Sequence, residues 1–323
     1  MTGLPRLVVR RFLGAVAALA VLSVLIFAAT EVLPGDAVGA IAGPDATAAQ
    51  RDQVRTELGL DRPAVERYVD WIGGVLRGDL GTAYVGGRPV SEVLGDRVPN
   101  SLLLAGLVCL LLVPTAIVLG TAAGFGSAGG RRGRAADRVV SAGALTAAGI
   151  PEFVTAVLLL AVLATWLGLV PEVSLVPIGG SPLDSPEVLV LPVLSLLVLS
   201  AACAVRLIRA SVADVVRTPY VEAARLGGIH GWRLAMRHVL PNALAPAVQA
   251  VVAQLGALVG GAIVVESIFN YPGVGNELRA AVATRDVPLV QGISLTLCAV
   301  SLVALLVGDL VVRLLSPRLR SEA

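Results

Sequence analysis

Residues 219–241 read PYVEAARLGGIHGWRLAMRHVLP, a polar, arginine-bearing segment between two long apolar runs. Thr218 can cap a helix that starts at the following proline, and Glu222 places a negative charge in its first turn. The pair Gly227–Gly228 tolerates positive φ and predicts the end of this helix. A second helical stretch is predicted from Trp232 to the end of the segment. Two short helices joined by a glycine hinge are typical of a docking element.

The composition places most of this chain in a lipid bilayer. Apolar residues make up 56% of it and charged residues 15%, against about a quarter charged in soluble domains, and the mean hydropathy is +0.85. A helix that crosses the hydrocarbon core needs about 20 apolar residues. Six runs predict an all-α membrane protein with six transmembrane helices: Phe12–Thr30, Val98–Gly130, Val139–Pro171 with Glu152 inside it, Val188–Val205, His238–Val265 and Val287–Gly308. The first run is longer than the core of a secretory signal, which favours a retained helix.

The arginines predict the orientation of these helices. The chain has no lysine, and sixteen of its 25 arginines lie at the two ends, after the second run, and between the fourth and fifth runs. The positive-inside rule therefore predicts that both termini are cytoplasmic. The expected organisation is a tail and first helix (1–30), an extracytoplasmic segment (31–99), a five-helix core (100–315) with a cytoplasmic coupling region (206–241), and a cytoplasmic tail (316–323). The net charge of +2 does not indicate nucleic-acid binding.

The extracytoplasmic segment carries two helical patterns. Thr47–Leu58 has helical spacing, and the glycine and proline that follow it end the pattern. Ala64–Arg77 is amphipathic. Its predicted apolar side consists of Val65, Tyr68, Val69, Ile72 and Val75/Leu76. The segment is too small to bury a strong core of its own, so we expect it to pack on the outer helix ends.

The segment 219–241 resembles the cytoplasmic signature of permease subunits of ABC importers. The signature is Glu-Ala-Ala, a glycine six residues after the Glu, and a distant Leu-Pro, which here are Glu222, Ala223, Ala224, Gly228, Leu240 and Pro241. His238 stands where the family usually has an aliphatic residue. The resemblance implies that this helix sits in a groove of the ATP-hydrolysing subunit and transmits its motion. The alternative is an ordinary amphipathic interfacial helix.

The whole chain resembles the B-type permeases of the peptide and nickel ABC importer family. The shared motifs, in order, are Leu33–Asp36, Leu58–Pro63, Leu76–Gly81, Glu266–Phe269, Tyr271–Gly275, Arg285–Asp286 and Ser316–Arg318. The resemblance implies the type I ABC importer permease fold. It also implies four partners: a paralogous C-type permease, two ATPases and an extracytoplasmic substrate-binding protein. Di- or oligopeptides are the expected substrates, with nickel chelates, opines, glutathione and sugars as alternatives.

The residues argue against chemistry performed by this chain alone. A P-loop needs a lysine at the β- and γ-phosphates, so ATP is expected on partner subunits and no cofactor on this chain. His230 and His238 lack the spacing of a helical zinc site, so no metal site is predicted. A self-contained secondary transporter is the second hypothesis, but such proteins often contain inverted repeats and this sequence shows none.

Three polar residues of the predicted spans are candidates for the translocation pathway. Glu152 follows Pro151 near the middle of the third span, where the proline can kink the helix. It is either a lining residue or a buried carboxylate that a neighbouring helix satisfies. Gln254 lies in the fifth span, and Glu266 at its outer end is either a gate contact or a structural cap.

The fifth span also carries a close-packing pattern. Gly256 and Gly260 form a GxxxG motif that allows another backbone to approach. The approaching helix is either part of the partner permease or part of this chain. Pro246, about one turn after Pro241, is expected to keep this span separate from the connector helix that precedes it.

Overall fold

The computed structural model describes residues 3–32, 37–42, 46–177 and 180–315. Within these ranges the chain is helical, and its only β-type pairing is an isolated bridge between Thr82 and Pro89. The predicted all-α class is therefore confirmed. The motifs at 33–36 and 316–318 and the predicted tail (316–323) lie outside the described residues.

The described ranges contain thirteen α-helices and three short turns of other helical types. The helices are α1 (Gly3–Val32), α2 (Ala37–Ala42), α3 (Ala48–Glu57), α4 (Ala64–Val75), α5 (Val90–Ser127), α6 (Arg131–Ala148), α7 (Glu152–Leu159), α8 (Glu187–Val216), α9 (Pro219–Leu226), α10 (Gly231–Leu234), α11 (Leu240–Ile268), α12 (Val274–Thr284) and α13 (Val287–Leu315). π-Helical turns extend α7 over Leu160–Trp166 and join α10 to α11 over Ala235–Val239, and a 3₁₀ turn covers Pro182–Asp184.

Several helices are long and apolar enough to cross a membrane. Four qualify singly, over Val9–Val32, Val90–Ser127, Glu187–Val216 and Val287–Val312. A fifth span is obtained if α6 and the helix from Glu152 to Trp166 count together. The chain is thus a multi-pass protein. α11 contains a shorter apolar stretch, Gly256–Ile268, so a sixth span stays a prediction.

The third predicted span is broken at Pro151, and the kink predicted at this proline is confirmed. α6 and the helix that starts at Glu152 are bent by 102° relative to each other. Pro151 explains the break, because it has no N–H for the helical ladder and disfavours helical geometry at the residue before it. Its own backbone is extended (φ −58°, ψ 149°). Glu152 therefore lies in the first turn of a new helix, directly after the break, which is near the middle of the span if the two helices count as one.

One of two compact units comprises residues 1–101 and 272–302. In it α4 packs on α1 through aromatic rings: Phe27 meets Tyr68 edge to face at 5.4 Å and Trp71 at 6.2 Å. α4 thus packs near the C-terminal end of α1, and the prediction that this is the outer end of the helix stays a prediction. The predicted apolar side of α4 is partly wrong, because Val65 and Val69 are exposed. The tryptophan displaces them, since a larger ring buries more apolar surface.

Asp286 organises the other end of this unit. Its carboxylate accepts hydrogen bonds from the backbone N–H of Val85 (2.8 Å) and of Leu289 (3.3 Å). The second bond caps the first turn of α13, and the first bond holds the loop before α5. Arg285 adopts a left-handed backbone (φ 57°) that ends α12. These contacts give a structural reason for the Arg285–Asp286 motif.

The second unit comprises residues 102–271 and 303–323. α8 forms its centre and packs against α6, α7 and α11. Arg209 of α8 donates two hydrogen bonds to the Asp137 carboxylate of α6, at 2.9 and 2.8 Å, and the Ser141 hydroxyl donates a third at 3.1 Å. This bidentate pair ties α6 to α8 beside an otherwise apolar core.

Candidate functional site

The signature Glu-Ala-Ala lies on α9, the first helix of the connector hairpin (residues 219–241). Pro219 occupies the first helical position, as predicted. Thr218 has extended backbone geometry at the helix start, but its hydroxyl donates to Val215 O at 2.7 Å. The predicted side-chain cap is therefore wrong, because the hydroxyl instead bonds the last turn of α8. The backbone N–H of Glu222 is satisfied by Thr218 O at 3.2 Å.

Gly228 makes the turn of the hairpin. Its φ of +81° lies in the left-handed region, where a side chain is strained, whereas φ of Gly227 is −73°. The N–H of Gly228 donates to Arg225 O, and the N–H of Ile229 donates to Ala224 O, each at 3.0 Å. The prediction of a glycine hinge is thus confirmed at one of the two glycines.

Buried aliphatic side chains anchor the hairpin to α8. Val221 of α9, Leu234 of α10 and Val239 of the π-helical turn belong to the same buried cluster as Val212 and Val216 of α8. Burying side chains of this size contributes about 1.5–3 kcal/mol each. The hairpin is therefore packed against α8 through a buried apolar contact.

The opposite side of the hairpin is open. Glu222, Ala223, Gly228 and Pro241 are exposed, Ala224 is half-buried and Leu240 is buried. Large apolar side chains share this exposure: Leu226 is 86% and Trp232 is 73% exposed. Sequence reasoning did not single out Leu226 and Trp232. The signal that could have identified them is the occurrence of two large apolar residues in a polar segment that carries three arginines.

The second half of the hairpin continues directly into α11. α10, the π-helical turn and α11 follow one another without a gap through Pro241 and Pro246. The expected separation at Pro246 is therefore wrong. The wider π-helical turn lies just before Pro241, where the proline cannot donate to a carbonyl one turn back. This turn joins the connector hairpin to α11 without a break in the helix.

A contact that the sequence did not predict joins the two halves. The Tyr220 hydroxyl is hydrogen-bonded to His238 Nδ1 at 2.6 Å. From the sequence, His238 was a departure from the family pattern and a histidine without the spacing of a zinc site, with no partner predicted for it. Spacing could not have revealed the contact, because it depends on how the hairpin folds back at Gly228.

The three pathway candidates occupy different environments in the second unit. The Glu152 carboxylate lies beside Gly261 of α11, and a Cβ built on that glycine would be 3.3 Å from Oε1. No hydrogen-bond donor to this carboxylate is found in the described part of the chain. Gln254 is half-buried on α11. Glu266 is only 1% exposed and lies close enough to Tyr271 for its charge, after burial, to raise the pKa of that phenol.

The glycines of the GxxxG pattern face open space. A Cβ on Gly256 or Gly260 would meet nothing within 4 Å, whereas one on Gly261 would lie 3.2 Å from Leu196 Cδ2. Close packing within this chain therefore uses Gly261, which lies beside the motif. The GxxxG face itself is unoccupied by the described residues.

The described residues contain no group of three His, Cys, Asp or Glu side chains arranged to hold a metal ion. Cys109, Cys203 and Cys298 are unpaired and partly buried in helices.

Comparison with known proteins identifies the family of this chain. Two family models together match nearly all of the chain: the binding-protein-dependent transport system inner membrane component over residues 116–321, and the N-terminal part of such a membrane component over residues 4–105. Among similar curated proteins is the glutathione transport system permease protein GsiC of Escherichia coli K12, 34% identical over 97% of this chain and 98% of the relative. The corresponding protein of Salmonella choleraesuis is 35% identical over the same shares. This chain belongs to the family of binding-protein-dependent transport system inner membrane components, and is the permease component of an ABC importer in the plasma membrane.

Proposed function

We propose that the connector hairpin is the surface on which an ATPase subunit docks and through which it drives the permease. The observation that carries the proposal is the two-sided character of the hairpin. Val221, Leu234 and Val239 anchor it to α8, while Leu226 and Trp232 are left exposed in a polar segment. Exposed apolar patches rimmed by polar residues mark interaction surfaces. Glu222, Ala223, Ala224, Gly228, Leu240 and Pro241 are the proposed coupling residues.

We further propose six transmembrane helices with both termini in the cytoplasm. α11 supplies the additional span, and the α6–α7 pair supplies a bent one. The arginine distribution supports this orientation. It places the connector hairpin on the side where ATP is available, and it places α3 and α4 outside.

The proposed assembly contains a paralogous C-type permease, two ATPases and an extracytoplasmic substrate-binding protein. ATP is bound by the ATPases, and this chain has no enzymatic role of its own. The open face of Gly256 and Gly260 supports a contact between α11 and the second permease, because small residues allow backbones to approach. Closure of the ATPases would then push the paired hairpins and switch the spans between two arrangements.

Di- or oligopeptides are the proposed substrates. The relatives at 34–35% identity are named for glutathione transport, and glutathione is a tripeptide. The alternative is a nickel chelate or another small solute, since selection in this family resides largely in the binding protein. A self-contained secondary transporter is disfavoured by the family membership.

Glu152, Gln254 and Glu266 are the proposed polar residues of the pathway. Glu152 is the strongest of them, because its carboxylate lies against α11 at Gly261 without a donor among the described residues. An unsatisfied carboxylate near the membrane interior is costly unless it contacts water or a solute. Glu266 is buried in this conformation and would contribute only after a rearrangement.

The test uses the assembled importer in proteoliposomes, with uptake and ATP hydrolysis measured together. Glu222→Ala is expected to lower the number of solute molecules imported per ATP several-fold while the ATPases still co-purify. Glu92→Ala, an exposed carboxylate of α5 in the other unit, is the control. Normal uptake per ATP in Glu222→Ala would contradict the docking role.

A further inference from the structure

A cavity of about 530 Å³ lies within the unit formed by residues 1–101 and 272–302. Its walls come from the end of α1, from α3 and α4, and from the region where α12 passes into α13. Cavities of about 300–1,000 Å³ are typical of small-molecule sites. The volume therefore suits a small solute or a lipid headgroup better than a folded partner.

Arginines dominate the charged lining of this cavity. Its walls include Arg55, Arg62, Arg67 and Arg285, against the carboxylates of Glu31 and Asp70. Arg67 donates to Glu31 at 2.6 Å, and Arg62 donates to Asp70 at 2.7 Å. The lining thus carries more positive than negative charge and favours an anion. Guanidinium groups bind carboxylate and phosphate groups in a bidentate geometry.

Arg55 is the cation best placed to meet such an anion. It lies in the last turn of α3, and it forms no ion pair with any of the described residues. Arg51, one turn earlier on the same helix, does not line the cavity. Substituting either arginine removes the same charge from α3, but only Arg55 lines the cavity. A comparison of the two variants therefore distinguishes an effect of the cavity from a general effect of the charge of α3.

Two aromatic side chains of the lining have unused hydrogen-bonding capacity. Nε1 of Trp71 is inaccessible and has no acceptor in the described ranges, although a buried indole N–H normally has one. An acceptor entering the cavity would satisfy it after a small rotation of the ring. The phenol of Tyr84 makes no hydrogen bond to the described residues. Its pKa is raised by burial first and by the charge of Asp286 next, so the hydroxyl is protonated and able to donate.

Apolar groups complete the walls. Phe27, Val287, Pro288 and Val290 line the cavity together with the polar groups named above. A ligand that matches both parts carries an acidic group and an apolar body. Small carboxylates such as short peptides have this chemistry, and so does the phosphate-bearing head region of an anionic lipid.

We propose that this cavity binds a small organic anion, with its carboxylate or phosphate at Arg55 and Arg67 and its acceptor atoms beside Trp71. All of its lining residues belong to the unit that contains α3 and α4, and none of them is a proposed hairpin or pathway residue. Its existence does not depend on the identity of the transported solute.

Trp71 provides the reporter for the test. The full chain with Trp166→Phe and Trp232→Phe retains only this tryptophan, and both replaced residues are exposed. The chain is placed in nanodiscs of phosphatidylcholine and titrated with alanyl-glutamate or with its fully amidated analogue. A saturable emission change with the acid and a much weaker one with the amide are expected. Arg55→Gln should weaken binding about tenfold, since one charge-assisted hydrogen bond is lost, and Arg51→Gln should not.

A second arm identifies a lipid occupant. Nanodiscs of phosphatidylglycerol replace those of phosphatidylcholine, with no peptide added. We expect the Trp71 emission to differ between the two lipids if a lipid headgroup is the anion. Arg55→Gln should then remove this difference and Arg51→Gln should retain it, which would support the site. The absence of a response in both arms, or equal effects of the two arginine variants, would overturn the proposal. Neither result would alter coupling at the hairpin, which uptake per ATP measures independently.

Discussion

The Tyr220 hydroxyl lies 2.6 Å from Nδ1 of His238, and the two rings are 5.4 Å apart. This hydrogen bond joins α9 to the helical turn that continues into α11. The other imidazole nitrogen, Nε2, is inaccessible and has no partner in the part of the chain that the structure describes. This bond and the aliphatic cluster that α9 shares with α8 and α11 are the contacts through which a displacement of α9 would reach α11.

Tyr220→Phe is expected to destabilise the permease by about 1 kcal/mol, because it leaves a partly buried imidazole without its hydrogen bond. His238→Leu combined with Tyr220→Phe should recover most of this loss, since it removes both the bond and the unsatisfied Nε2. Thermal inactivation of the single and double variants in detergent measures the difference. Additive losses in the double variant would show that the two side chains are not coupled.

Gly228→Ala is expected to cost about 1 kcal/mol, because only the positive φ opposes the side chain and no atom lies within 4 Å of the new Cβ. Gly227→Ala is the control, since its φ is negative and its nearest contact is 3.4 Å. Uptake per hydrolysed ATP should fall in the first variant and stay near normal in the second. Equal uptake in both would mean that the turn geometry does not influence coupling.

Gly261→Val is expected to destabilise this chain by about 1–3 kcal/mol, since the added atoms would press on Leu196 and on the Glu152 carboxylate. Gly256→Val has open space and should leave thermal stability unchanged. If the GxxxG face meets the second permease, Gly256→Val should instead reduce co-purification of that subunit. Unaltered assembly in this variant would remove the support for that contact.

Asp137→Ala is expected to destabilise the chain by about 1–3 kcal/mol, because it leaves the Arg209 guanidinium partly buried and unpaired between α6 and α8. Arg206→Ala, an exposed arginine one turn earlier on α8, should have little effect. Thermal inactivation in detergent provides the comparison. Similar stability of the two variants would show that the pair does not hold α6 in place.

The sequence determined the features that depend on local pattern. Hydropathy predicted a multi-pass helical protein, and the order of motifs predicted the permease family. Helix propensity and turn residues predicted the first and last residues of α3, α4 and α9 to within a few residues of the observed bounds. These features are readable because helix length, apolar runs and glycine turns are set by neighbours along the chain.

Only the tertiary structure decided how these elements meet. Pro151 could be predicted to disturb the third span, but the angle of 102° depends on where α6 and α7 pack. The pairing of Asp137 with Arg209 and of Tyr220 with His238 joins residues 72 and 18 positions apart. Such contacts arise when separate helices fold onto the same core, so no local pattern contains them. For the same reason Trp71, and not Val65 or Val69, was selected to face α1.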